Sequence, residues 1–475
     1  MAANYGNSRL GGHEILLVLR SLTGNRMTIR KFAAALLLLL AFAAMPCAAQ
    51  DAPPRAAPTS HVETGALAPL AQAAPHFDAD TATETWLAKV NGAARARSDA
   101  YTEGGYWLLL LDLVYALAVA GLLLWLQALA RIRDWTEDRM RSRVYQVMIC
   151  AGCYVVILAA AGFPLALYEG FVREHNYGLS NQSFRQWLGD YGIGQAVMLM
   201  AALIGLPILY AAIRAARETW WIWGSGIAIL FTVVFLVIYP VFVAPLFNHY
   251  APLANGPLKQ DIRSLARANG VPATDVWVAD ESRQSNRLSA NVAGFLGTTR
   301  IALNDNLLQH GSHDEVLAIL GHEMGHYVMG HTTRLLLLFG VVTILGFAFL
   351  DIAFRLATGV FGGNWQVREV SDIAGLPLLA ALWTIYMFLM TPATNTIIRT
   401  TEMQADYFGV NAVRKPDAFA STILKLSTYR KLDPGPWEEA IFYDHPSGRT
   451  RIHTMMAWKQ EHAADPDIAG VSRQP

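Results

Sequence analysis

The sequence predicts a mainly α-helical, polytopic membrane protein of about six or seven transmembrane helices, with a polar domain placed around the last two. Three observations lead there. Hydrophobic residues fill 53% of the 475 positions and charged residues only 16%, where a soluble domain carries about a quarter charged. Six apolar stretches are long enough for a bilayer core, which takes ~20 helical residues. They lie near 106–129, 144–168, 193–213, 222–246, 334–356 and 374–393. Between a polar segment and the fifth of them stands the pentapeptide His322-Glu323-Met324-Gly325-His326.

From the N-terminus, Met27-Thr28-Ile29-Arg30-Lys31-Phe32 leads into an apolar run over Ala33–Ala44 and then Cys47-Ala48-Ala49. A positive start, a short apolar core and a small-residue end form a secretory signal. Residues 1–49 are therefore expected to be an over-extended start, with translation opening at Met27, plus that signal. The competing expectation is an uncleaved first membrane helix. Residues 50–105, rich in Ala and Pro, have the composition of a linker. Residues 106–247 are expected to form a four-span membrane domain, and 248–475 a second domain that includes the spans 334–356 and 374–393. Gly162, Pro164, Gly205, Pro207 and Pro240 inside the spans are tolerated where helices pack on neighbours. Cys150 and Cys153 sit in an apolar helix, where packing is expected of them rather than redox or metal chemistry. Asp112 and Asp351 lie in apolar surroundings, where a carboxylate needs a partner or water.

Lys plus Arg equals Asp plus Glu at 37 each, so no bulk charge draws the chain to nucleic acid. The local distribution is uneven. The loop after the first predicted span holds Arg131, Arg133, Arg139, Arg141 and Arg143, and that after the third holds Arg214 and Arg217. Short loops rich in Lys and Arg stay in the cytoplasm. Helix parity then puts 247–332 and 394–475 on the opposite face. The expectation is a bacterial inner-membrane protein whose polar domain, the one around the pentapeptide, faces the periplasm.

On a helix, residues four apart share a face. His322 and His326 can present two imidazoles to one Zn²⁺, with Glu323 beside them to take a proton from a metal-bound water. Catalytic zinc usually takes three protein ligands. A third His ten residues after the first, with Gly at the seventh, is absent: Thr332 and Met329 hold those positions. The better candidate is downstream, where Glu402 and Asp406 are again four apart. One carboxylate can ligate while the other accepts the spare N–H of a ligating histidine.

With these residues the chain resembles the membrane-embedded zinc metalloproteases of the M48 type, the family of the CAAX prenyl protease. That family carries H-E-x-G-H, two membrane helices and then N-x-x-x-R-x-x-E-x-x-A-D, matched here by Asn395, Arg399, Glu402, Ala405 and Asp406. His331 also matches. Ser289-Ala290-Asn291 with Arg300-Ile301-Ala302-Leu303 resembles a substrate-side segment, and His445-Pro446 with Arg451-Ile452 a C-terminal one. Val292-Ala293 depart from the aromatic of the prenyl-protease branch, so the same peptide selectivity does not carry over.

The resemblance implies a zincin-like (gluzincin) domain with a small β-hairpin and one Zn²⁺ per chain, held by His322, His326 and Glu402. It implies catalytic roles for Glu323, His445 and Arg451, with Asp406, Asn395 and Arg399 supporting the ligands and Asn291 binding substrate backbone. Residues 298–304 have strand character after Gly294 and Gly297, and an open edge there could pair with an extended peptide. The expected partners are a peptide or protein substrate and the lipid bilayer, with no nucleic acid.

Two rival readings remain. A site-2-type intramembrane zinc protease needs a later L-D-G, but Leu350-Asp351 is followed by Ile352, and the polar residues before His322 do not suit hydrocarbon. A transporter or scaffold with a structural metal site has no use for Glu323, and no inverted repeat relates the halves.

Overall fold

The structure, a computed structural model, describes residues 77–293 and 299–469. The expectations for residues 1–49, and for the linker before residue 77, lie outside the described residues. From Ala79 onward the expected linker is instead helical. Asp78 caps α1 (Ala79–Leu87), its carboxylate accepting from the Thr81 N–H at 2.8 Å. Ala79 and Leu87 are buried in a cluster with Ile452, Met455 and Met456 of the C-terminal region. Alanine-rich sequence is a good helix former, and Trp86 and Leu87 give α1 enough apolar surface to dock. α2 (Gly92–Trp125) likewise begins well before the predicted span.

α3 (Ala128–Arg139), α4 (Arg143–Leu167), α5 (Phe184–Ala215) and α6 (Trp220–Ile238) follow. Beyond Pro164, α4 passes into a π-helical turn over Tyr168–Arg173. Six helices among the described residues are long and apolar enough to cross a membrane, and each overlaps one of the six predicted stretches, the first ending at Trp125 rather than at 129. Their shared core gathers Tyr210, Trp220, Phe347 and Phe354. Asp351 is paired: it accepts from the Trp220 indole N–H at 2.6 Å and bridges Arg355 at 2.9 Å. Asp112 lies beside Glu169. Cys150 and Cys153 are free thiols, the first fully buried.

The polar domain starts with β1 (Tyr250–Pro252), α7 (Pro257–Ala268), β2 (Val276–Ala279), β3 (Ala290–Ala293) and β4 (Arg300–Asn304). The expected hairpin, β3 with β4, is part of a four-stranded sheet ordered β1-β2-β4-β3. β1 and β2 span three and four residues, too short for a period-two signal in the sequence. The 298–304 segment forms β4, but parallel pairing to β2 and antiparallel pairing to β3 fill both its edges. The open edge belongs to β3, which carries Asn291.

After α8 (Asp305–His310) comes α9 (His313–Val328), which carries the pentapeptide. Its N-terminus has a capping box: Ser312 accepts from the Glu315 N–H, and Glu315 reaches back to the Ser312 N–H at 2.6 Å. Gly330, at φ +66°, ends α9 in the left-handed region, so the chain turns straight into α10 (His331–Trp365). α11 (Leu376–Val413) then returns and packs along α9. The rest is α12 (Pro416–Leu426), α13 (Pro436–Phe442), α14 (Gly448–Glu461) and α15 (Pro466–Ala469).

Small residues bring α9 and α11 close. A Cβ on Gly325 would meet the Ala405 Cα at 3.2 Å, and one on Gly409 the His322 backbone nitrogen at 2.8 Å. Gly321 and Gly325 on one helix face Ala405 and Gly409 on the other, each pair four apart. His322 and His326 immediately follow the two α9 glycines, so the contact that draws the helices together also brings the imidazoles to α11.

Candidate metal centre

Among the described residues, His322, His326 and Glu402 form a group in which one ligand atom from each lies within 4.8 Å of the others. The His322 and His326 Nε2 atoms are 3.2 Å apart. Glu402 Oε2 is 3.1 Å from His322 Nε2, and Glu402 Oε1 is 3.5 Å from His326 Nε2. Ligands at 2.0–2.1 Å from a tetrahedral ion stand about 3.3 Å from one another. The observed separations bracket that value, and two imidazole nitrogens with one carboxylate suit zinc. The residues present therefore fit the ion.

The hydrogen bonds behind these atoms set which nitrogens carry protons. Asp406, fully buried, lies with Oδ1 at 2.8 Å from His322 Nδ1. It can only accept there, so Nδ1 holds the proton and Nε2 keeps its lone pair. Arg451 donates through Nε and Nη2 to both Asp406 oxygens at 2.7 Å. Two of its donors are thus spent on Asp406, the carboxylate that meets His322.

His326 has a partner that the spacing rules do not supply. His331 Nδ1 is 2.9 Å from His326 Nδ1, and His331 Nε2 is 3.2 Å from the Gln404 side-chain oxygen, which also accepts from Arg334 at 2.6 Å. An acceptor at Gln404 places the His331 proton on Nε2. His331 Nδ1 then accepts from His326, which frees His326 Nε2 to ligate. Nine residues separate His331 from the first ligand only by count: the left-handed turn at Gly330 folds it back onto His326.

A cavity of about 220 Å³ opens at this cluster, lined by His322, Glu323, His445 and Arg451 together with Ser289 and Ala290 at the start of β3. Burial pushes the Glu323 carboxyl above its ordinary value, against the opposing charges of His322 and His326. His445 Nε2 stands 3.2 Å from Glu402 Oε2, and its Nδ1 is 2.9 Å from Asp444. Asn291 is exposed on the β3 edge, just beyond the residues that line the cavity.

Asn395 and Arg399 reach elsewhere than the metal ligands. Asn395 donates to the Ile441 carbonyl at 2.8 Å, and Arg399 to the carbonyls of Glu439 and Tyr443 at 2.8 and 2.5 Å. Both clamp the segment leading into His445. They stand seven and three residues before Glu402, and so point past the ligand to the end of α13.

The chain is similar to known membrane metalloproteases. Residues 252–459 match the model of peptidase family M48, and residues 80–249 match that of the CAAX prenyl protease N-terminal region, five membrane helices. A CAAX prenyl protease 1 homolog of Oryza sativa subsp. japonica is 30% identical over 62% of this chain and 69% of its own length. An uncharacterized metalloprotease of Bacillus subtilis, YhfN, is 28% identical over 70% of this chain and 78% of its own. The crystal structure of S. mikatae Ste24p superposes with a TM-score of 0.66 at 22% identity, covering 80% of this chain and 94% of that one. Fold and family together define an integral, multi-pass membrane metalloprotease. The chain belongs to peptidase family M48.

Proposed function

We propose that the protein is a zinc-dependent endopeptidase that cuts membrane-associated or secreted proteins and peptides, with its catalytic domain on the periplasmic face of a bacterial inner membrane. The observation that carries the reading is the convergence of His322, His326 and Glu402 from two helices at separations a single ion would impose. When bound, zinc supplies Lewis acidity toward a water and toward the scissile carbonyl oxygen. Glu323 takes the proton of the attacking water and hands it to the leaving amine, a role suited to a carboxyl whose affinity for protons is raised by burial. His445, across the cavity, offers an N–H to the oxyanion as the carbonyl becomes tetrahedral. Asp406 and Arg451 keep His322 in one tautomer and one orientation. Asn395 and Arg399 hold the backbone that carries His445.

Substrate meets this group along β3. An extended peptide can pair with its open edge, beside Asn291, and run into the cavity that begins at Ser289 and Ala290. Several relatives are named CAAX prenyl proteases. The expected secretory signal and the departure at Val292-Ala293 favour a different selectivity here. The test is cleavage of a quenched-fluorescent peptide library by wild type and Glu323→Gln. Turnover in the first and its loss in the second, with metal content equal, is expected. Equal turnover by both proteins would remove Glu323 from the mechanism.

A further inference from the structure

A second charged cavity lies at the far end of the membrane helices. α10 leaves the metal centre at His331 and ends at Trp365, a rise of roughly 50 Å at ~1.5 Å per residue. At that end a cavity of about 250 Å³ opens among α3, the start of α4, the end of α5 and the turn before α11. Four arginines line it, Arg133, Arg143, Arg214 and Arg368, against three carboxylates. The carboxylates are all taken. Asp372 pairs with the buried Arg133, Glu137 with Arg368 at 3.0 Å, and Glu369 with Arg217 at 3.2 Å.

Arg143, the first residue of α4, and Arg214, in the last turn of α5, form no ion pair with any carboxylate among the described residues. Two uncompensated guanidiniums facing one cavity repel each other, and an oxyanion between them removes that cost. The guanidinium fork matches the geometry of a phosphate group in particular. The depth of the site selects among phosphates. Both arginines sit at the ends of membrane-spanning helices, and exposed Tyr145 and Trp223, each 62% accessible, mark the headgroup level at the same end. Below them α4 and α5 expose Val156, Leu158, Ile204 and Ile208, a surface for acyl chains. Basic pockets between membrane helices are where anionic headgroups bind.

We propose that this cavity binds the phosphodiester of an anionic phospholipid through Arg143 and Arg214. The test uses the full chain in neutral detergent, with lipid retention measured by native mass spectrometry. Phosphatidylglycerol, phosphatidylcholine and inorganic phosphate are titrated separately. Wild type is expected to retain phosphatidylglycerol over phosphatidylcholine. At ~1 kcal/mol per arginine, the double variant Arg143→Gln/Arg214→Gln loses about 30-fold in phosphatidylglycerol affinity. Arg131→Gln/Arg141→Gln, which removes the same charge outside the cavity, keeps it. Equal retention of the two lipids by wild type would overturn the proposal without any variant. So would an equal loss in both double variants. Displacement of the lipid by inorganic phosphate at comparable concentration would make this a free-anion site and overturn the lipid assignment.

Discussion

At the scale of single residues, the candidate centre divides into atoms that touch the ion or substrate and atoms that aim them. Glu323→Gln keeps the size of the side chain but removes the base. It is expected to lower kcat by about 10²–10⁴-fold while metal content stays unchanged. His331→Phe takes away the acceptor for the His326 Nδ1 proton and leaves the three ligands in place. It is expected to weaken metal binding by roughly 10–100-fold, read by competition with a chromogenic chelator. An unchanged affinity would mean that the 2.9 Å contact does not orient His326. The legibility of these residues follows from distance along the chain. The pentapeptide is local and periodic, so His322, Glu323 and His326 are readable from spacing alone. Glu402 and Asp406 lie 80 and 84 residues from His322 and are readable only as a pair of carboxylates on one helical face. The support that His331 gives is hidden, because a left-handed turn at one glycine creates the contact.

Elements bring these residues together through a close helix crossing. Gly409→Ala sets a Cβ 2.8 Å from the His322 backbone nitrogen, where no side-chain rotation can relieve it. The expected outcome is a loss of roughly 1–3 kcal/mol of stability, seen as a lower melting temperature together with reduced metal content. The start of α9 carries a pH-dependent support. Burial acts to raise the Glu315 carboxyl, but hydrogen bonds from Lys425, Ser421 and the Ser312 N–H hold it below its ordinary 4.5. Its charge therefore stabilises the fold at pH values above 4.5, and that contribution drains away as pH falls through the lowered value. Wild type is expected to lose more thermal stability than Glu315→Gln between about pH 5 and pH 3, and to be the more stable of the two at pH 7. Parallel slopes for both proteins would remove Glu315 from that dependence. Strand order was the weakest part of the sequence reading. β4 has the residues of a strand, but a sequence does not show which side of it stays open, and the short β2 takes the edge that an extended peptide would need.

For the molecule as a whole, hydrophobic run length was enough to find the six long apolar helices among the described residues, because the bilayer demands ~20 apolar residues whatever the fold. Ala- and Pro-rich composition, by contrast, made a linker of residues 79–105, which carry α1 and the start of α2. Those helices extend beyond the hydrocarbon on alanine and polar residues and are held by contacts with the C-terminal region, among them Tyr106 donating to Glu438 at 2.9 Å. Sidedness belongs to this scale too. Cysteines introduced singly at Asp138 and Asp417, at opposite ends of the spans, are expected to differ in labelling by an impermeant maleimide on intact cells. The one near Asp417 should react and the other only after permeabilisation. The reverse pattern would put the catalytic domain in the cytoplasm. The most direct measurement of the central claim is zinc per chain in the purified full-length protein, for wild type and for Glu402→Gln. The account predicts close to one equivalent in wild type and a large loss in the variant, although Glu402 lies on a different helix from the two histidines. Retention of a full equivalent by Glu402→Gln, or its absence from wild type, would contradict the assignment of His322, His326 and Glu402 to one ion.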